Sequence, residues 1–207
     1  LRVDHEVRED VGHEVEDEII AMVRRFILDG VDGIIISDYA KGVITERVGK
    51  TIVQLANDQN IPVAGDAKPA RLTFVKGATL VSPNLKEARE FAALHGQKEL
   101  EIEALAQWVS EALDTTACVT LSADGMYVWE KNGKGKHMPQ EHRKEVFDIS
   151  GAGDTAVTVL LLARLAGATF FEAATLANAA GAVAVSHVGS VGVKADELRD
   201  MICHQHE

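Results

Sequence analysis

Gly33-Ile34-Ile35-Ile36-Ser37-Asp38 is a short apolar run that ends in polar residues. A run without alternation is the pattern of a strand buried on both faces, as in parallel sheets. Ile61-Pro62-Val63-Ala64-Gly65-Asp66 repeats the form and again ends in an acid. Ala78-Thr79-Leu80-Val81-Ser82, closed by Pro83, reads as a third strand, and Ala117-Cys118-Val119-Thr120-Leu121 as a fourth. Between these runs the periodicity is helical. Val15, Ile19, Ile20, Val23, Phe26 and Ile27 recur at helix spacing, and Gly30 suits the stop. Thr45 suits the cap of a helix carrying Val48, Ile52, Leu55 and Ala56. Further helices are expected from near Asn84 and over residues 100–113. Strands alternating with helices predict a mostly parallel sheet covered on both sides. After the fourth strand, Met126-Tyr127-Val128-Trp129 and the stretch near His137-Met138 flank Asn132-Gly133-Lys134-Gly135, a hairpin signal. A short strand is expected near Val146-Phe147, then helices over 153–166, 170–187 and 194–203.

The chain has 207 residues, 46% of them hydrophobic and 26% charged, enough for one domain, two at most, with a sizeable core. Lys plus Arg is 21 against Asp plus Glu at 32, a formal charge of -11. That field repels a phosphate backbone, so nucleic acid is not expected as a partner, whereas a small anion needs only a local positive site. No apolar run approaches the ~18 residues of a membrane span, so no membrane partner is expected. Leu1-Arg2-Val3-Asp4-His5-Glu6 lacks a following apolar run and is not a secretory signal. Two cysteines, Cys118 and Cys203, make no disulfide framework, which places the chain in a reducing, cytoplasmic setting. Cys203, His204 and His206 match no standard zinc spacing.

In parallel sheets, ligands sit beyond the carboxyl ends of the strands. Asp38, Asp66, Asn84 and Ser122 all fall just after predicted strands, although these residue types also favour ordinary turns. The most informative segment is Asp148-Ile149-Ser150-Gly151-Ala152-Gly153-Asp154-Thr155, followed by the apolar run Ala156-Val157-Thr158-Val159-Leu160-Leu161-Leu162. A glycine-rich turn lets the backbone approach a ligand, and the following helix aims free N–H groups at the same point. Asp154 then sits beside an anion site, where it can accept a proton from a hydroxyl nucleophile. A plain helix cap explains the same acid. The segment is neither a P-loop nor a dinucleotide fingerprint.

This segment resembles the C-terminal signature of the ribokinase-like (PfkB) carbohydrate kinases, and other stretches follow in that family's order. Pro83-Asn84-Leu85-Lys86-Glu87 is similar to its Asn-x-x-Glu motif, in which Asn84 and Glu87 would organise magnesium and phosphate through water. The same pair also forms a capping-box pattern. Thr120-Leu121-Ser122-Ala123-Asp124-Gly125 is similar to the nucleotide loop, with Ser122 and Gly125 otherwise plain turn residues. Asn178, in Leu176-Ala177-Asn178-Ala179-Ala180, is similar to the late-helix Asn near the adenine; in an alanine-rich helix it equally suits a solvent-facing position. The resemblance implies ATP and Mg²⁺, with K⁺ at carbonyls near Asp148 and Ser150. It also implies Asp154 as the base, Gly151, Ala152 and Gly153 as the anion cradle, and Asp38 as a substrate contact. Lys68 is a candidate phosphate-facing cation, or a solvated surface charge.

Ser37-Asp38-Tyr39-Ala40-Lys41-Gly42, Asp66-Ala67-Lys68, Ser82-Pro83-Asn84-Leu85 and Gly189-Ser190-Val191 resemble one branch, the kinase domains of bifunctional heptose kinase/ADP-heptose synthases. That branch usually has Asp-Pro-Lys in the second stretch. Here Ala67 replaces the proline, which costs turn rigidity and keeps both charges. The resemblance implies phosphorylation of D-glycero-β-D-manno-heptose 7-phosphate at O1, on the route to the lipopolysaccharide inner core. It begins partway into a family pattern of about 300 residues. Residues 1–207 thus read as the C-terminal two-thirds of a ribokinase-like kinase domain, lacking the N-terminal strands and lid, with weak or absent activity expected alone. Another sugar or nucleoside kinase, and a non-catalytic nucleotide-binding remnant, stay open as alternatives, as does a homo-oligomer.

Overall fold

The computed structural model describes residues 8–141, 147–189 and 191–203. Seven helices are found among them: α1 His13–Asp29, α2 Glu46–Asp58, α3 Leu85–Leu94, α4 Ile102–Leu113, α5 Ala152–Leu165, α6 Phe170–Val185 and α7 Ala195–Cys203. The strands are β1 Ile34–Asp38, β2 Val63–Ala67, β3 Leu80–Val81, β4 Thr116–Thr120, β5 Met126–Trp129 and β6 Gly135–Met138. They form one sheet in the order β1-β2-β3-β4-β5-β6. The first four run parallel, and β4, β5 and β6 form an antiparallel meander.

The uninterrupted apolar runs are explained by two dry faces. Ile36, Val63, Val81, Ala117 and Val119 enter the core under α1 to α4. Their neighbours Ala64, Leu80 and Cys118, with Met126 and Val128, enter a second core under α5 and α6. Each fully buried Val, Leu, Ile or Met side chain contributes about 1.5–3 kcal/mol of transfer free energy, and the alanines less. α6 is alanine-rich, and small side chains on most of its circumference let it lie close between α5 and the sheet.

Two expectations need correction. Phe147 belongs to no strand; it sits in a bend where its amide donates to the Val185 carbonyl at 2.8 Å. Its expected strand partner Val146 lies outside the described residues, as do His204, His206 and Ser190. The expected third strand is reduced to Leu80–Val81; Ser82 N still donates to the Gly65 carbonyl at 3.1 Å before the chain turns through Pro83 to the α3 cap. A 3₁₀ segment over Pro69–Val75, with Pro69, Leu72 and Val75 buried, was not anticipated.

All four parallel strands end on the same edge of the sheet. The register pairs Ser37 with Asp66 and Asp38 with Ala67. Asn84 bridges Thr120 in parallel fashion, so the α3 start and the loop after β4 share that edge.

Candidate active site

Gly151 adopts a left-handed conformation, φ 80°, at the start of α5. α2, α3 and α6 each carry a side-chain cap, whereas α5 has none. The Ala152 amide makes a long 3.4 Å bond to the Ile149 carbonyl, and the Gly153 and Asp154 amides that follow are left for another acceptor. Gly153 is itself exposed, and a Cβ there would meet nothing within 4 Å. An anion is the natural occupant of such a helix end. Asp154 stands exposed in the first turn. Asp148 braces the turn: Oδ1 accepts from the Ser150 amide at 2.8 Å and Oδ2 from the Gly189 amide at 3.2 Å. Those amides hold its carboxyl below the usual range, the Ser150 amide most.

The other strand ends converge on Asp154. The Tyr39 hydroxyl, just past β1, donates to Asp154 Oδ1 at 2.9 Å and lies 3.0 Å from Oδ2. Asp66, near the end of β2, has its carboxyl pushed up to about 6 by burial, then by the negative charges of Glu87 and Asp154; Lys68 pulls the other way. Lys68 Nζ donates to Glu87 Oε1 at 2.7 Å and lies 6.0 Å from the centre of the Tyr39 ring. Asn84 and Glu87 form a full capping box: Glu87 N donates to Asn84 Oδ1 at 2.9 Å, and Asn84 N to Glu87 Oε2 at 3.1 Å. Capping and proximity to the site coexist here. Asp66 stands, as expected, just past its strand's core, whereas Tyr39 was not anticipated at the site, since nothing local in the sequence announces its partner 115 positions away.

Excess negative charge at Asp66, Glu87 and Asp154 is what a cation would relieve. Among the described residues no group of three His, Cys, Asp or Glu side chains is arranged to ligate a metal directly. That donor set fits magnesium, which keeps much of its water and binds proteins through few carboxylates.

Ser122, Gly125 and Asn178 form a second group. Ser122 opens a 3₁₀ turn in left-handed conformation, φ 55°. Gly125 has φ 90°, and a Cβ there would fall 2.2 Å from the Met138 carbonyl. Asn178 is buried rather than solvent-facing; its amide donates to the Met138 carbonyl at 2.9 Å. Gln140 donates back to the Asn178 carbonyl at 2.8 Å. The loop after β5's neighbour β6 is thus clamped from two sides. Asp38 is buried, with Oδ1 accepting from Ala40 N at 2.8 Å and Oδ2 unpartnered. Burial raises its carboxyl above the usual range. Cys118 is buried and its thiol pushed up to about 12 by burial, which leaves it unreactive.

Residues 8–196 match the family described as pfkB family carbohydrate kinase. The chain belongs to this family. Among its pfkB relatives is the "Bifunctional protein HldE" of Geobacter metallireducens, 36% identical over 211 residues, covering 100% of this chain and 42% of that protein. Its namesake in Paramagnetospirillum magneticum is 37% identical over 199 residues, covering 96% and 40%. The chain spans about two fifths of the length of these curated relatives. Phosphofructokinase-2 from Escherichia coli in complex with potassium superposes with a TM-score of 0.75 at 20% identity, covering 90% of this chain and 61% of that one. Arabidopsis thaliana ribokinase complexed with ribose and ATP gives 0.73 at 19%, covering 90% and 59%. The pfkB chain described here therefore has the ribokinase-like α/β fold. Among its described residues no helix is long and apolar enough to cross a membrane.

Proposed function

We propose that this chain carries the phosphoryl-transfer site of a cytoplasmic kinase that moves the γ-phosphoryl group of ATP to O1 of D-glycero-β-D-manno-heptose 7-phosphate. The observation that carries the chemistry is Asp154 in the first turn of α5, beside amides that no side chain caps. The heptose reading is supported by the Ser37–Gly42 and Asp66–Lys68 stretches and by relatives called bifunctional protein HldE. Asp154 accepts the proton of the O1 hydroxyl as that oxygen attacks phosphorus in line. The amides of Ala152, Gly153 and Asp154 face the negative charge of the transferring group. Asn84 and Glu87 would hold magnesium through its water, and the ion would supply charge neutralisation at the phosphates. Lys68, tied to Glu87, adds a positive charge on that side. Ser122, Gly125 and Asn178 shape the nucleotide side, Asp38 supports the acceptor side, and carbonyls near Asp148 and Ser150 take potassium.

The test is acceptor-dependent ADP release by the full-length protein, with the heptose phosphate compared against fructose 6-phosphate, ribose and inosine. Asp154→Asn leaves the fold intact and lowers turnover by about 10²–10⁴-fold. A retained rate removes the base assignment; a preference for another acceptor replaces the sugar and keeps the base. Titration of the 207-residue chain with MgATP separates a nucleotide half-site, which binds without release, from a complete kinase.

A further inference from the structure

An exposed base beside a phosphoryl group activates water as well as sugar, and exclusion of water is what prevents futile hydrolysis. Tyr39 stands where that protection is needed. β1 ends at Asp38, whose Oδ1 accepts from Ala40 N at 2.8 Å, and Ala40 takes φ 55°. This turn swings Tyr39 away from the sheet towards α5. The far side of the loop is pinned by Val11 N donating to the Gly42 carbonyl at 2.9 Å and Arg71 donating to the Ile44 carbonyl at 2.8 Å. The Tyr39 hydroxyl then faces both Asp154 oxygens, at 2.9 and 3.0 Å. The residue as a whole is 57% exposed, so solvent lies on its outer side.

We propose that Tyr39 guards Asp154: its hydroxyl covers both carboxylate oxygens against water, and the hydroxyl of the acceptor displaces it to reach the base. This rests on Asp154 being the base of the kinase reading. In the side reaction so prevented, a water oxygen bonds to the γ-phosphorus and its proton passes to Asp154. The bond from that phosphorus to the β–γ bridging oxygen breaks, with its electron pair leaving on ADP. Tyr39 is a positioning residue in this scheme, holding the carboxylate turned to the cleft.

The experiment measures ADP release from MgATP by the full-length protein, with and without acceptor, for the wild type, Tyr39→Phe, Asp154→Asn and the double variant. Tyr39→Phe raises acceptor-independent release by about tenfold, the scale of one hydrogen bond to a charged group. It also lowers acceptor-dependent kcat, with KM for ATP unchanged. In the double variant the excess hydrolysis disappears, because the uncovered base is Asp154. Acceptor-independent release at or below the wild-type level in Tyr39→Phe overturns the guard, as does excess hydrolysis that survives in the double variant. Retained acceptor-dependent turnover in Asp154→Asn instead overturns the kinase reading of the base. A readout free of turnover is the phenol titration of Tyr39 by NMR. Its groups are Asp154, which raises it most, Asp66, Lys68 and the Ser37 hydroxyl. Asp154→Asn returns that titration towards the ordinary tyrosine value; an unchanged titration shows no contact, and the proposal falls.

Discussion

Asp66 is held at a cost. Its carboxyl titrates at about 6 because burial and the nearby Glu87 and Asp154 charges disfavour the anion. An acid whose pKa rises on folding binds its proton more tightly in the native state. Its contribution to stability is therefore highest below the unfolded value near 4 and falls as pH rises through about 6. Asp66→Asn relieves the penalty, with a gain on the order of 1–2 kcal/mol at pH 8 after solvent screening and almost none at pH 4. Urea midpoints at the two pH values check this; equal gains would remove charge as the cause. At this scale Asp154 was legible because its glycines and following apolar run are contiguous. The place of Tyr39 was not, because its bond to Asp154 is made only when the end of β1 and the start of α5 meet in space.

Element ends carry the next set of consequences. Glu16 of α1 is buried, and its carboxyl is lowered to about 2, first by the Thr45 hydroxyl, then by His13 and Arg47. Arg47 bonds Glu16 at 2.9 Å, and Thr45 also caps α2. One carboxylate thus ties the α1 start to the α2 start. A lowered acid pKa gives stability that is present above about 4.5 and lost as pH falls towards 2. The difference in urea midpoint between wild type and Glu16→Gln is expected to shrink over that window; a constant difference would point to packing alone. At the opposite side, Gly125→Ala forces a Cβ into the Met138 carbonyl and costs more than ~1 kcal/mol. Asn178→Ala strips a buried amide from the same carbonyl and costs about 1–3 kcal/mol. Chemical denaturation reads both, and neutral effects would mean that the loop after β6 is held by something else. The helices and the hairpin were legible from periodicity and turn residues. The 3₁₀ segment at Pro69–Val75 escaped because its buried residues recur every three positions, a spacing too short-lived to stand out. β3 is shorter than its apolar run, although Ser82 and Pro83 still bond the neighbouring strands as the chain turns.

At the scale of the described molecule, strand order and chain order coincide. Among the described residues each strand lies beside its predecessor in sequence, so these six can pair in the order of synthesis, each docking on the last. The cover of the second face comes late: Ala64, Leu80, Cys118, Met126 and Val128 wait for α5 and α6. A nascent chain stopped before residue 151 would present that whole apolar face to the ribosome exit and its chaperones. α5 follows the described strands in the chain, so the turn that carries Asp154 is made only after the strand ends that surround it.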